Sequence, residues 1–248
     1  MTNTQYPAPT PAARTVPARR SRRRNVLVAA AATVAAATVA TLVIVLPGGE
    51  SAASAAVRTA AQRMGSADTL RAELKSGQSL VRAEVAGDDS KIVYTEPTNV
   101  MTVIEVAGVR YSFAGDGSKG ATGTSIGDDE KRKAPIAASA ADVIRALADD
   151  ENVTEVGAEK VRGRSATHYR VAVSDATRQR LAAVSDTKRV WFELEQVQDL
   201  RTVDVWVSDK LITRVMVQGR RQFSGKDYTT TTDFFDFGAP ITIKAPRT

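Results

Sequence analysis

The side chain best suited to acid–base chemistry is the single histidine, His168, in the segment Thr167-His168-Tyr169-Arg170-Val171. Imidazole titrates near neutral pH without help, but a catalytic base needs a nucleophile or partner within reach, and no nucleophile signature accompanies this one. Period-two alternation places His168 opposite Tyr169, Val171 and Val173, as a partly exposed strand residue. The acids Glu193, Glu195, Asp199 and Asp204 would have to form a pair at fixed separation to cleave a glycoside. Spread over loop and strand positions, they read as solvated. Gly115, Gly117, Gly120, Gly123 and Gly127 match neither a P-loop nor a dinucleotide fingerprint, because no Lys-Ser/Thr follows and no strand-to-helix turn surrounds them. Lys131-Arg132-Lys133 is balanced by Asp128-Asp129-Glu130, the pattern of a solvated loop. Trp191 and Trp206 read as sheet packing. With no cysteine there is no disulfide, zinc-thiolate site or thiol nucleophile, and one imidazole cannot build a multi-histidine metal site. The expectation is a protein that is not an enzyme and uses no cofactor and no metal.

Charge narrows the partners further. The chain of 248 residues carries a net charge of +6, which invites a nucleic-acid reading. Six of its 34 basic residues (Arg14, Arg19, Arg20, Arg22, Arg23, Arg24) precede residue 47, where there is no acid. The other 28 bases face all 28 acids, so the remainder is neutral. Phosphate binding draws its affinity from a basic face on the folded domain. No nucleic-acid partner is expected.

The same arginines flank a different feature. Residues 1–25, with Pro7, Pro9, Pro11 and Pro17, read as a disordered basic cytoplasmic arm. Residues 26–46 are uncharged and composed of Ala, Val, Leu, Ile and three Thr. As a helix this stretch would extend roughly 30 Å, the thickness of a bilayer core. Arginines before it and none just after predict a cytoplasmic N-terminus and an extracytoplasmic C-terminal domain on the cell membrane. The length favours a retained signal anchor, a single-pass transmembrane helix. Ala53-Ser54-Ala55 offers the alternative, signal cleavage near Ala55 and secretion. Residues 47–53 read as a linker and 54–248 as the extracytoplasmic domain.

Within that domain, apolar periodicity predicts helices over 54–64, 139–150 and 174–184, with Val57, Ala60, Ala61 and Met64 on one stripe of the first. Ser139, three residues before Asp142, reads as the N-cap of the second, and Ser174 caps the third. Strands are expected over 79–85, 91–95, 100–106, 109–114, 160–162, 165–173, 202–207, 211–218 and 228–237, with a surface loop over 115–134. Local hairpins with few helices predict an α+β fold, a curved antiparallel sheet with helices on one side.

Three segments carry a more specific likeness. They are Val156-Gly157-Ala158-Glu159-Lys160-Val161-Arg162-Gly163 leading into Thr167-His168-Tyr169, Val203-Asp204-Val205-Trp206-Val207 with Leu211-Ile212-Thr213-Arg214-Val215, and Asp236-Phe237-Gly238-Ala239-Pro240-Ile241. In order and spacing they resemble the LppX/LprG-type lipoproteins of actinobacteria, relatives of the LolA and LolB lipoprotein carriers. The resemblance implies a half-barrel sheet with helices on its concave side, enclosing an apolar cavity for lipid or glycolipid acyl chains. One departure stands out: the acylated cysteine of those lipoproteins is missing, so tethering would fall to residues 26–46.

The expected function is therefore membrane-tethered or secreted binding of a hydrophobic ligand, for lipid transfer or sensing in the cell envelope, with the glycine-rich segment 115–127 gating entry. If they share the concave face, Tyr111, Phe113, Tyr169, Val171, Val205 and Val215 would line the cavity; strand parity alone does not say which face that is. The alternative is an interaction or regulatory domain with a filled core and an envelope-protein partner.

Overall fold

The computed structural model describes residues 51–115, 122–125, 136–148, 153–185, 200–220 and 225–246. Among them no helix is long and apolar enough to cross a membrane; the span at 26–46 and the arm before it lie outside the described residues, as do Trp191, Glu193, Glu195, Asp199 and 131–133.

Six two-residue turns generate most of the architecture. The first half of the chain gives β1 (Thr69–Ser76), β2 (Ser79–Ala86), β3 (Asp89–Glu96), β4 (Asn99–Val106), β5 (Val109–Ala114) and β6 (Thr122–Ser125). The second gives β7 (Val153–Val161), β8 (Arg164–Ala172), β9 (Thr202–Ser208), β10 (Leu211–Arg220) and β11 (Asp227–Phe235). All pair antiparallel in one sheet of eleven strands, ordered β6-β5-β4-β3-β2-β1-β11-β10-β9-β8-β7. Two meanders thus join through the β1–β11 pair, with Arg71 opposite Phe235 and Ser76 opposite Thr230. The chain between β6 and β7 must pass from one edge of the sheet to the other, and it carries the second helix.

Such short connections need backbone that matches the twist of the strands. Arg162 and Gly163 both adopt positive φ (49° and 82°) between β7 and β8. A Cβ on Gly163 would meet nothing within 4 Å, so the only obstacle to a side chain there is the left-handed conformation itself. Gly163→Ala is therefore expected to cost about 1–2 kcal/mol in chemical denaturation.

Three helices are described: α1 (Ala52–Gly65), α2 (Ile136–Ala148) and α3 (Asp175–Ser185). Ser51 caps α1, its hydroxyl accepting from the Ser54 N–H at 3.1 Å, and Val57, Ala60, Ala61 and Met64 form its buried stripe as the spacing predicts. Ser174 caps α3 by accepting from the Thr177 N–H at 3.1 Å. The second helix starts three residues earlier than expected, so Ser139 lies inside it and is not its cap. Pro135 immediately precedes Ile136 in sequence, and proline is tolerated where a helix begins because its missing N–H is one that no helical bond would use.

α1 packs over β7, β9 and β10, α2 packs on α1, and α3 on α2. Their apolar sides join Val171, Val203, Val205, Ile212, Val215 and Val217 in one core on one face of the sheet. Val171, Val203, Val205 and Ile212 are fully buried there. A smaller cluster, Val161, Ala166 and Trp206 with Met216 beside it, occupies the opposite face.

Candidate functional site

Residues directly opposite each other in an antiparallel ladder point to the same side, so the register divides every strand between a helix face and an opposite face. Val153, Val171, Val203 and Val217 form one row of the helix face, which continues through Thr230 and Ser76. Tyr169, Val205, Val215, Thr232, Leu74, Val81, Tyr94, Met101 and Ala114 form the next.

Two bulges set these rows, and neither is visible as strand parity. Thr213 is the extra residue between Ile212, opposite Val207, and Arg214, opposite Trp206. In unbroken alternation Ile212 and Arg214, two residues apart, would share a face; the bulge sends the isoleucine into the core and turns the arginine away. Val156 does the same on β7, so that Glu155 stands opposite Tyr169 whereas Gly157 stands opposite His168.

Of the six residues expected to line one cavity, the register brings four together. Tyr169, Val171, Val205 and Val215 share the helix face, buried in the core. Tyr111 and Phe113 do not join them. They pair with Ile104 and Thr102 on the opposite face. The reason is cumulative: each hairpin preserves or shifts parity by its turn and register, and five strands separate β5 from β10.

The helix face changes character away from the helices. Under α1 its side chains are packed out, but on β2–β4 Val81, Ala83, Ile92, Tyr94 and Val103 are half-buried and Met101 is 39% exposed. Ala83, Ile92 and Val103 stand side by side across three strands, as do Val81, Tyr94 and Met101. Burial pushes the Tyr94 phenol up, with the charge of Glu105 adding to it, so it stays a neutral, apolar-bodied side chain. The next row ends in polar groups: Val85, Ser90, Glu105 and Arg110 are successive neighbours. Arg110 Nε donates to Glu105 Oε1 at 2.7 Å. The buried Ser90 hydroxyl has no hydrogen-bond partner among the described residues. These rows make a partly exposed apolar strip, termed the trough below, with one polar end, an arrangement suited to an amphiphile. Sequence reasoning missed this set, although the alternation in β2–β4 signals it; the parity that joins these strands to the helix face runs through β1 and β11.

His168 lies on the other face and is not partly exposed: only 4% of it reaches solvent, and Asp204 is wholly buried. Its Nε2 is 2.7 Å from Asp204 Oδ1 and its Nδ1 3.1 Å from Glu159 Oε1. The ring stacks on Trp206 with centroids 4.2 Å apart, and the Trp206 indole donates to Glu159 Oε2 at 3.0 Å. That indole bond, helped by His168, holds the Glu159 carboxyl below its ordinary range against desolvation. Arg170 Nε donates to Asp204 Oδ1 at 2.8 Å, while Arg214 grips Asp233 with two bonds of 2.6 and 2.9 Å. Both nitrogens of the one histidine are therefore occupied. Asp204, expected to be solvated, is buried because β8 and β10 flank it on both sides and His168 lies over it.

No family model and no curated protein matches the sequence. Solved structures do. The crystal structure of the Mycobacterium tuberculosis lipoprotein LppX superposes with a TM-score of 0.52 at 11% identity, covering 78% of this chain and 98% of LppX. LprF from Mycobacterium bovis gives 0.52 at 14% identity, over 78% of this chain and 96% of LprF. The chain has an LppX-like fold. In LppX-like terms, the expected antiparallel sheet with helices on one face is present, with β1 and β6 added to the strands read from sequence.

Proposed function

We propose that this chain binds a hydrophobic ligand outside the cytoplasm, holding acyl chains of a lipid or glycolipid against the helix face of β2–β4, and serves lipid transfer or sensing in the cell envelope. One observation carries the reading: a contiguous apolar floor of Ala83, Ile92, Val103 and their neighbours stays partly uncovered beside a well-packed core. Such surface gains about 25 cal/mol for each Å² removed from water, so an alkyl chain laid along it is held without any specific polar contact. The polar end at Ser90, Glu105 and Arg110 suits the head of the same molecule. The LppX-like fold is consistent with this use.

The domain acts without catalysis, a reading supported by the engagement of both His168 nitrogens. Residues 26–46 tether it as a retained anchor. Support comes from α1: Ala53-Ser54-Ala55 fall in its first turns, Ser54 is buried, and cleavage after Ala55 would remove the Ser51 cap. Native mass spectrometry of the full chain, taken from its host membrane into an amphipathic polymer, is expected to show a lipid-sized adduct that added oleate displaces. Repeated recovery of ligand-free chain that takes up no oleate would sink the reading.

A further inference from the structure

At one end of the sheet, the β7–β8 turn, the β9–β10 turn and the chain leaving β11 enclose a half-open cavity of about 610 Å³. No residue of the trough lines it. Small-ligand sites occupy roughly 300–1,000 Å³, so the space suits a molecule rather than a single water.

The lining is about half apolar and half polar, and its wall is held in place. Val161 and Phe234 are buried, while Leu211, Phe235 and Phe237 are half-buried and present apolar surface to the opening. The segment after β11 is tied back to β1. Gly238 N–H donates to the Thr69 carbonyl at 3.0 Å, Thr69 Oγ1 donates to the Ala239 carbonyl at 2.8 Å, and Arg71 pairs with Asp236 at 2.9 Å. A wall fixed by three such bonds cannot collapse inward to fill the hollow.

Charge at the rim is uneven. Asp236 is spent on Arg71, and Asp233, behind Phe235, is held by Arg214 through both oxygens, with Arg162 Nη1 a further 3.9 Å from its Oδ2. The Arg162 guanidinium sits over the Phe235 ring, with its Cζ 3.9 Å from the centroid, and Arg162 lines the opening. Arg164 also lines the opening, is exposed, and makes no ion pair with a described residue. Asp209 is the remaining acid of the lining, and Lys210 follows it in the turn. Two guanidinium groups beside an aromatic-lined hollow favour an anion, since their planar forks match carboxylate or phosphate oxygens.

We infer that this cavity is a second ligand site, which takes an amphiphile with one alkyl chain and an anionic head. The chain packs against Leu211, Phe235 and Phe237, and the head meets Arg162 and Arg164. The site stands on its own geometry and does not rest on the trough.

Photo-crosslinking of the full chain in its native membrane tests it, using a diazirine fatty acid, a diazirine alkyl phosphate and the neutral diazirine alcohol of equal length. The expected result is adducts on peptides carrying Leu211 or Phe235–Phe237 from an anionic probe, at least about tenfold above the alcohol. Labelling by the acid alone or the phosphate alone identifies the head; either supports the site. Arg164→Gln is expected to reduce this labelling about fivefold and Arg164→Lys to restore most of it, with labelling of β3–β4 peptides unchanged. Equal labelling by the alcohol, indifference to Arg164→Gln, or adducts confined to β3–β4 overturns the proposal. Cavity adducts without trough adducts would uphold this site while removing the trough reading.

Discussion

Asp204→Ala is expected to lower the unfolding free energy by about 3–5 kcal/mol, the range for removing one partner of a buried ionic pair. In a domain of this size that corresponds to a fall of roughly 10 °C or more in Tm. Asp204 is wholly buried and accepts from both His168, at 2.7 Å, and Arg170, at 2.8 Å. Arg170 can turn to water, because its side chain is 49% exposed. His168 cannot: it is sealed beneath Trp206, and its Nε2 would be left without a partner. The cost therefore belongs to the histidine side of the network. Arg170→Ala, which breaks a half-exposed pair, is expected to cost no more than about 1 kcal/mol. Combining Asp204→Ala with His168→Leu should recover part of the loss, since both polar partners are then gone and the stack on Trp206 keeps its volume. Urea denaturation of the four proteins decides the matter. If Asp204→Ala is no worse than Arg170→Ala, this network does not hold β7, β8 and β9 together.

Ile92→Asp is expected to weaken binding of an acyl-chain ligand by about 100-fold, because a carboxylate under the chain must either lose its water or push the ligand off the floor. Ile92 is half-buried between Ala83 and Val103 in the middle of the trough. It lies away from the packed core under α1, so the substitution should leave the fold intact by circular dichroism and reduce stability only modestly. Oleate competition in native mass spectra measures the effect. Val205→Ala supplies the contrast, for Val205 is fully buried in the core beneath the helices. That change opens a small cavity and costs stability by about 1–3 kcal/mol, with little direct effect on the ligand. Reversal of these two outcomes would place the ligand under α1 instead of on β2–β4.

The contrast shows where local pattern stops being informative. Hairpins are short-range objects, and alternation with turn residues marks β2, β3, β4, β5, β9 and β10 within a residue or two of their observed bounds. Helix α1 is legible for the same reason, its buried stripe repeating at the helical period. β1 escapes because Leu, Arg, Ala, Glu and Lys are good helix formers, and Thr69–Ser76 becomes a strand through pairing with β11. β6 lies in a segment whose glycines read as loop, and its pairing with β5 overrides them.

Composition and periodicity are enough to predict a neutral domain of antiparallel hairpins and a few helices, an uncharged stretch behind an arginine cluster, and a chain with one histidine and no cysteine. Alternation also sets His168 apart from Tyr169 and Val171, because neighbours along a strand must point to opposite sides. Which face those sides belong to depends on contacts distant in the chain. The β1–β11 ladder joins residues about 160 positions apart, and the bulges at Val156 and Thr213 each invert parity partway along a strand. Those two decisions put Tyr111 and Phe113 opposite the helices, bring Glu159 and Asp204 to His168, and leave Ile92 and Val103 as a floor. A period of two records alternation and no origin; the origin comes from long-range pairing, whose partners carry no mark of one another in the chain.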